Sequence, residues 1–375
     1  MLKMERPKWK IPLNKPMNTL HPTDRQTNKP SSHQNFIDWM KAVGMFFIVF
    51  GHLVGPPFNQ FTQPVYPKQL GVSFFVFITA WGLANETRPR LRVLFNRLFP
   101  VYLFGLGIAL VLSVIFLFTK NSANLSNYLP FFLGVNALFN NFPANPTTWY
   151  IGTYLHLLLF WCFFLRGKTI TRVHLLFALV CEILFRSLIL ASGRGFIAYM
   201  LLPNWITVFL LGMYLAKKQD ANDNSKLFFL VPIWLGFFAL SALIGNIIGF
   251  DTSFPFRNMA ADFSFSAITR SIIISLIYCT HTLLFFAIAR RLPPLRIVSF
   301  FARNTLIIFI LHMPLIFGCS TYVYSFFQST FYKKLTWILI LYIGLAMLSE
   351  AFHKSLNITA LREKFWVILD AKLST

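Results

Sequence analysis

What most constrains this chain is a succession of apolar runs, each close to 20 residues long, broken by short connections rich in Lys and Arg. A helix rises 1.5 Å per residue, so about 20 apolar residues cross the hydrocarbon of a bilayer. Runs of this kind lie near 36–54, 68–85, 98–118, 148–165, 173–191, 200–216, 227–249, 270–289, 298–319 and 335–352, whereas 128–139 is too short to span. The expected fold is all-α, a polytopic membrane protein of about ten transmembrane helices. Only 12% of residues are charged, where a soluble domain carries about 25%.

Orientation follows from loop charge, because short cytoplasmic loops collect Lys and Arg. With the N-terminus inside, the inner connections carry Arg88, Arg90, Arg92 and Arg97, then Arg166, Lys168 and Arg172, then Lys217, Lys218 and Lys226, then Arg290, Arg291 and Arg296. The outer ones hold Lys68, Lys120, Arg194, Arg257, Lys333 and Lys334. The alternation survives ten crossings and predicts both termini in the cytoplasm. The net charge of +22 is thus a topology signal, since the basic residues cluster between apolar runs instead of covering one folded surface. The lipid bilayer is an expected partner and nucleic acid is not.

Cys162, Cys181, Cys279 and Cys319 lie in or beside apolar runs without CxxC spacing, so small core hydrophobes are expected and a metal or disulfide framework is not. Residues 1–35 hold five prolines and seven Lys or Arg, which predicts a disordered basic cytoplasmic tail rather than a cleavable signal. Residues 36–352 would form the membrane domain and 353–375 a cytoplasmic C-terminal tail. The long connection between Lys120 and Thr147 is either a functional loop or interfacial packing.

Ionisable groups inside apolar spans are functional candidates by default. The first span holds three: Asp38, Lys41 and His52. At 100° per residue, the eleven-residue step from Lys41 to His52 closes to about 20°, and Asp38 shares that face. The two ends of the stripe stand about 16 Å apart along the axis. One reading is an interfacial ion pair, with Lys41 snorkelling and His52 capping the span. The other is a polar route linking the two sides of the membrane.

The run from Asp38 to His52 resembles the first-span signature of the membrane-bound acyltransferase family 3, in which Arg precedes His by eleven positions; here Lys41 stands for the Arg and His52 for the His. Four more stretches resemble family segments in the same order. They are GVSFFVFITAW from Gly71, RLFPVY from Arg97, TTWYIGTYL from Thr147 and ARNTLIIFILHMPL from Ala302. Three departures accompany them. Lys41 lacks the guanidinium fork. Leu94 occupies the first position of the family's Arg-x-x-Arg, with Arg97 in the second and Arg92 nearby as a substitute. Tyr154 and Leu155 stand where many members carry Glu.

The resemblance implies transfer of an acyl group, commonly acetyl from acetyl-CoA, to a hydroxyl of a surface or exported polysaccharide or its lipid-linked precursor, at a bacterial cytoplasmic membrane and without a metal. His52 would act as general base or as an acylated nucleophile, and Lys41 and Asp38 would orient the donor. Arg97 and Arg92 would bind CoA phosphates. Trp149, Tyr150 and His312 would contact the acceptor, although the aromatic pair also suits an interfacial belt. Glu182 and Arg186 are expected to pair with each other, and His281 to be a core histidine. Two other readings stay open: a transporter or export factor, against which no internal repeat is evident, and a family member that has lost catalysis.

Overall fold

The computed structural model describes residues 32–53, 67–120, 128–139, 148–218, 265–326 and 331–373, with three isolated positions at 232, 233 and 236. Among the described residues every regular element is helical. The long ones are α1 (Ser32–Leu53), α2 (Pro67–Ala84), α3 (Arg90–Lys120), α4 (Thr148–Phe160, continued by a π turn over Trp161–Leu165) and α5 (Arg172–Ala191). They are followed by α6 (Ile206–Lys217), α7 (Phe265–Ala289), α8 (Arg296–Arg303), α9 (Thr305–Phe326), α10 (Phe331–Ser355) and α11 (Ile358–Leu373). Pro67 occupies the first position of α2 and Pro89 immediately precedes α3, where a missing N–H costs nothing. Gly193, at φ 72°, follows the end of α5, a conformation that suits glycine.

Five of these helices are long and apolar enough to cross a membrane, and six if the bent pair α8–α9 counts as one span. The protein is an integral membrane protein by that measure. Two expected spans take a different form. The run near 200–216 is not one helix: Gly195–Met200 forms a short helix, a 3₁₀ turn covers Leu202–Asn204, and α6 starts only at Ile206. Pro203 lacks the N–H a continuous helix needs there, and α6 alone is about 18 Å long, shorter than the bilayer core. The run near 298–319 bends by 66° between α8 and α9. The expected span at 227–249 lies outside the described residues except at three positions. Segment 353–375, expected to be a tail, is helical through α11.

The bundle is centred on α1 and α2. Gly44 faces the Gly71 carbonyl, and Gly51 lies against the Lys68 backbone, so the two helices cross with no side chain between their backbones. A Cβ at Gly71 would collide with the Gly44 carbonyl, which cannot swing aside, and with Ile48 Cγ1 at 2.8 Å. Gly71→Val is therefore expected to cost about 1–3 kcal/mol and to separate α1 from α2, read as a lower melting temperature in detergent. A wild-type melt in that variant would refute the close crossing. Outside this centre, α3 and α5 expose rows of large apolar side chains such as Val111, Val114, Phe177 and Leu188, the faces that lipid would cover.

The basic connections meet at one end of the bundle. Arg166 donates to the Thr87 and Arg88 carbonyls at 3.1 and 2.8 Å. Arg172 donates to the Tyr214 hydroxyl at 3.5 Å, and Lys218 stands 5.0 Å over the Tyr214 ring. Trp39 near the start of α1 donates to the Pro293 carbonyl at 3.0 Å. α11 closes the same end by packing on α3, where Arg92 pairs with Glu363 and lies 4.6 Å over Trp366. Between α2 and α3, Arg88 donates twice to Glu86, at 2.8 and 2.7 Å, and holds that carboxyl down at about 2.

Candidate active site

Of the stripe read from the sequence on α1, Lys41 faces a cavity of about 370 Å³ walled by α1, α2, α3, α4 and α9. Lys41, Met45 and Ile48 supply the α1 wall, successive positions on one helical face. Arg97 enters from α3, Tyr150 and Tyr154 from α4, and Thr305 and Phe309 from α9. The remaining lining is mostly apolar. Among the described residues no carboxylate lines the cavity, and Lys41 and Arg97 bring two cations to its walls.

Each cation has a defined setting. The Arg97 guanidinium runs along Gly82, where a Cβ would come within 3.0 Å of Nη2. Its Nε is buried with no hydrogen-bond partner among the described residues, as is the Tyr150 hydroxyl. Buried donors in this state are uncommon because each forfeits its hydration, and here both border a space a ligand can fill. Asp38 does not line the cavity; its Oδ2 accepts from Ser299 Oγ at 2.6 Å, which ties α1 to α8, while its charge acts on Lys41.

Phe309 separates the cavity from a histidine pair. Its ring lies 5.5 Å from Tyr150 on one side and 5.9 Å from His312 on the other. His312 and His52 stand with ring centroids 5.2 Å apart. His312 Nδ1 meets the Phe309 carbonyl at 2.7 Å and the Ile308 carbonyl at 3.2 Å. Carbonyls only accept, so Nδ1 carries the proton and Nε2 presents a lone pair. That Nε2 is buried and has no hydrogen-bond partner among the described residues. His52 lies one turn past Ile48, the last α1 residue of the cavity wall.

Other residues singled out from the sequence fall elsewhere. Arg92 is held by Glu363 and Trp366 at the outer side of α3 and does not line the cavity. Trp149 is 9% exposed and packs on Tyr199 at 5.0 Å and Tyr150 at 5.6 Å, so its face is occupied by protein. Tyr150 lines the cavity. Leu94 is partly buried against the core. His281 packs flat on Phe74 at 5.3 Å, a core position. Two residues missed as site candidates, Thr305 and Tyr154, line the cavity; neither residue type carries a signal that hydropathy detects.

A family profile for an acyltransferase domain, that of acyltransferase family 3, matches residues 34–349. The chain belongs to acyltransferase family 3. Comparison with curated proteins and with solved structures returns no significant match. As a member of the family the protein is an acyltransferase, and the match covers α1 through most of α10 while leaving α11 outside. The cavity and the histidine pair both lie within the matched residues.

Proposed function

We propose that this acyltransferase moves an acyl group, acetyl in the simplest case, from cytosolic acyl-CoA to a hydroxyl of a surface or exported polysaccharide or its lipid-linked precursor. The observation that supports this reading is the arrangement along α1: a cavity with Lys41 and Arg97 toward the basic end, and His52 with His312 past its other end. The basic end faces the cytoplasm in this reading, with ten crossings, both termini inside, and the protein in a bacterial cytoplasmic membrane. Positive charge collected at that end favours it.

The chemistry follows from the groups present. Lys41 and Arg97 attract the anionic donor, and the apolar walls accept its thioester arm. His52 takes the proton of the acceptor hydroxyl as its oxygen attacks the thioester carbonyl; the carbon–sulfur bond then breaks, and the thiolate leaves with the proton returned from the imidazolium. His312, locked as the Nδ1–H tautomer, offers Nε2 as an acceptor beside His52. Asp38 and Ser299 set the position of the first turns of α1.

Two measurements test the reading. Protein in sealed vesicles, given labelled acetyl-CoA at the basic face and glycan acceptor at the other, is expected to transfer label without any ion gradient. A strict requirement for a gradient would overturn the enzyme reading in favour of a transporter, and transfer only with both substrates exchanged would overturn the orientation. Lys41→Met should raise KM for acyl-CoA about 10-fold or more, the worth of a charge-assisted hydrogen bond, while kcat changes less. An unchanged KM would remove Lys41 from the donor site.

A further inference from the structure

Acyl transfer through a tetrahedral intermediate places a full negative charge on the former carbonyl oxygen, and an enzyme needs a fixed donor or cation where that charge develops. The N–H groups of His52 and His312 lie inside α1 and α9 and bond along their own helices. The residue whose backbone touches Gly51, next to His52, carries a cation. Lys68, in the first turn of α2, acts electrostatically on both His52 and His312.

Its placement is built into the helix crossing. A Cβ on Gly51 would lie 2.6 Å from the Lys68 backbone nitrogen and 2.9 Å from its Cβ. The α2 start is thus in contact with the residue immediately before His52. The neighbouring Gln69 is fully buried, and its Oε1 accepts from the Tyr278 hydroxyl at 3.0 Å, which pins the same turn to α7. Lys68 Cα is therefore held from two sides, by α1 and by α7, which sets where its side chain begins.

We propose that the Lys68 ammonium is a catalytic cation of this acyltransferase, placed to stabilise the oxyanion formed when the acceptor hydroxyl attacks the thioester beside His52 and His312. This rests on the acyl-transfer reading above. In the step, the hydroxyl oxygen forms the new carbon–oxygen bond, its proton passes to His52, and the carbonyl π electrons move onto the oxygen facing Lys68. Collapse returns those electrons, breaks the carbon–sulfur bond and releases the thiolate, which takes the proton from His52. Lys68 keeps its own proton throughout.

The test uses the full chain in vesicles with labelled acetyl-CoA and the glycan acceptor, comparing wild type, Lys68→Met and Lys68→Arg. Lys68→Met is expected to lower kcat about 100-fold, as loss of an oxyanion donor does, with KM for acyl-CoA within about threefold. Lys68→Arg should recover much of the loss because it restores the charge. If Lys68→Met fails to accumulate, Lys68→Gln takes its place in the same comparison. The proposal is overturned if the neutral variant keeps kcat within about threefold of wild type, if its defect lies in KM alone, or if Lys68→Arg is as inactive as the neutral variant while both melt like wild type. Should wild type itself transfer no label, it is the acyl-transfer reading that fails; an active neutral variant beside an inactive His52→Ala refutes the role of Lys68 alone.

Discussion

His52→Ala is expected to lower acyl transfer by about 10³-fold, the middle of the range for removing a positioned general base. The protein should still insert and melt normally, because His52 is in the last turn of α1 and, among the described residues, makes no hydrogen bond that holds two helices together. Its ring neighbour is His312, 5.2 Å away, and the two belong to one chemical unit. His312→Ala should therefore cost less alone, and the double variant should be no worse than His52→Ala, the non-additivity expected of residues acting together. Labelled acetyl-CoA and initial rates decide the matter. Full activity in His52→Ala would mean that the base is elsewhere. Label retained covalently by the wild type, and lost in His52→Ala, would instead make His52 an acylated nucleophile.

The second large effect concerns stability. Glu182 and Arg186 form an ion pair at 2.6 Å with side chains 1% and 0% exposed, as their four-residue spacing on α5 predicts. The pair anchors the broken run that follows. Arg186 Nε donates to Asn204 Oδ1 at 2.7 Å, within the 3₁₀ turn, and Nη1 donates to Ser271 O and Ser275 Oγ on α7, both at 2.7 Å. Glu182 Oε2 accepts from the Thr207 N–H at 2.9 Å, one of the first-turn donors of α6 that has no helical partner. Arg186→Met strands the Glu182 charge in the core and should cost about 3–5 kcal/mol. Combining it with Glu182→Leu should recover much of that loss, since removing both charges also removes the desolvation cost. Thermal unfolding in detergent reads both. Equal melting of Arg186→Met and wild type would show that the pair holds nothing.

Much of the architecture was legible before any contact was known, because hydropathy reports which segments leave water and the 3.6-residue period reports which side chains share a face. Lys41 does turn to the cavity and His52 does follow one turn past its α1 wall, and contacts do bring basic connections that loop charge groups together to one end. Where the structure differs from what local sequence suggests, the cause is tertiary. Arg92 sits in a run of arginines with nothing to mark it out, yet Glu363 on α11 holds it away from the cavity. Pro203 was visible, but the length of apolar sequence around it concealed a break that only the packing of α6 against α2 makes tolerable.

Lys68 and His312 carry the clearest contrast. Taken alone, Lys68 is one basic residue at the edge of an apolar run, indistinguishable from a topology signal, and the His312 imidazole is one polar group in a late span. Both become part of a site only because glycines at 44, 51 and 71 let α1 and α2 touch and because α9 brings His312 to the far end of the same groove. The sequence by itself determined the helices, their polar stripe and the family, since each is written in local composition and order. Which cations and imidazoles meet was decided by the tertiary structure, because that depends on the distance between helix axes, and no local pattern of residues encodes a distance between segments far apart in the chain.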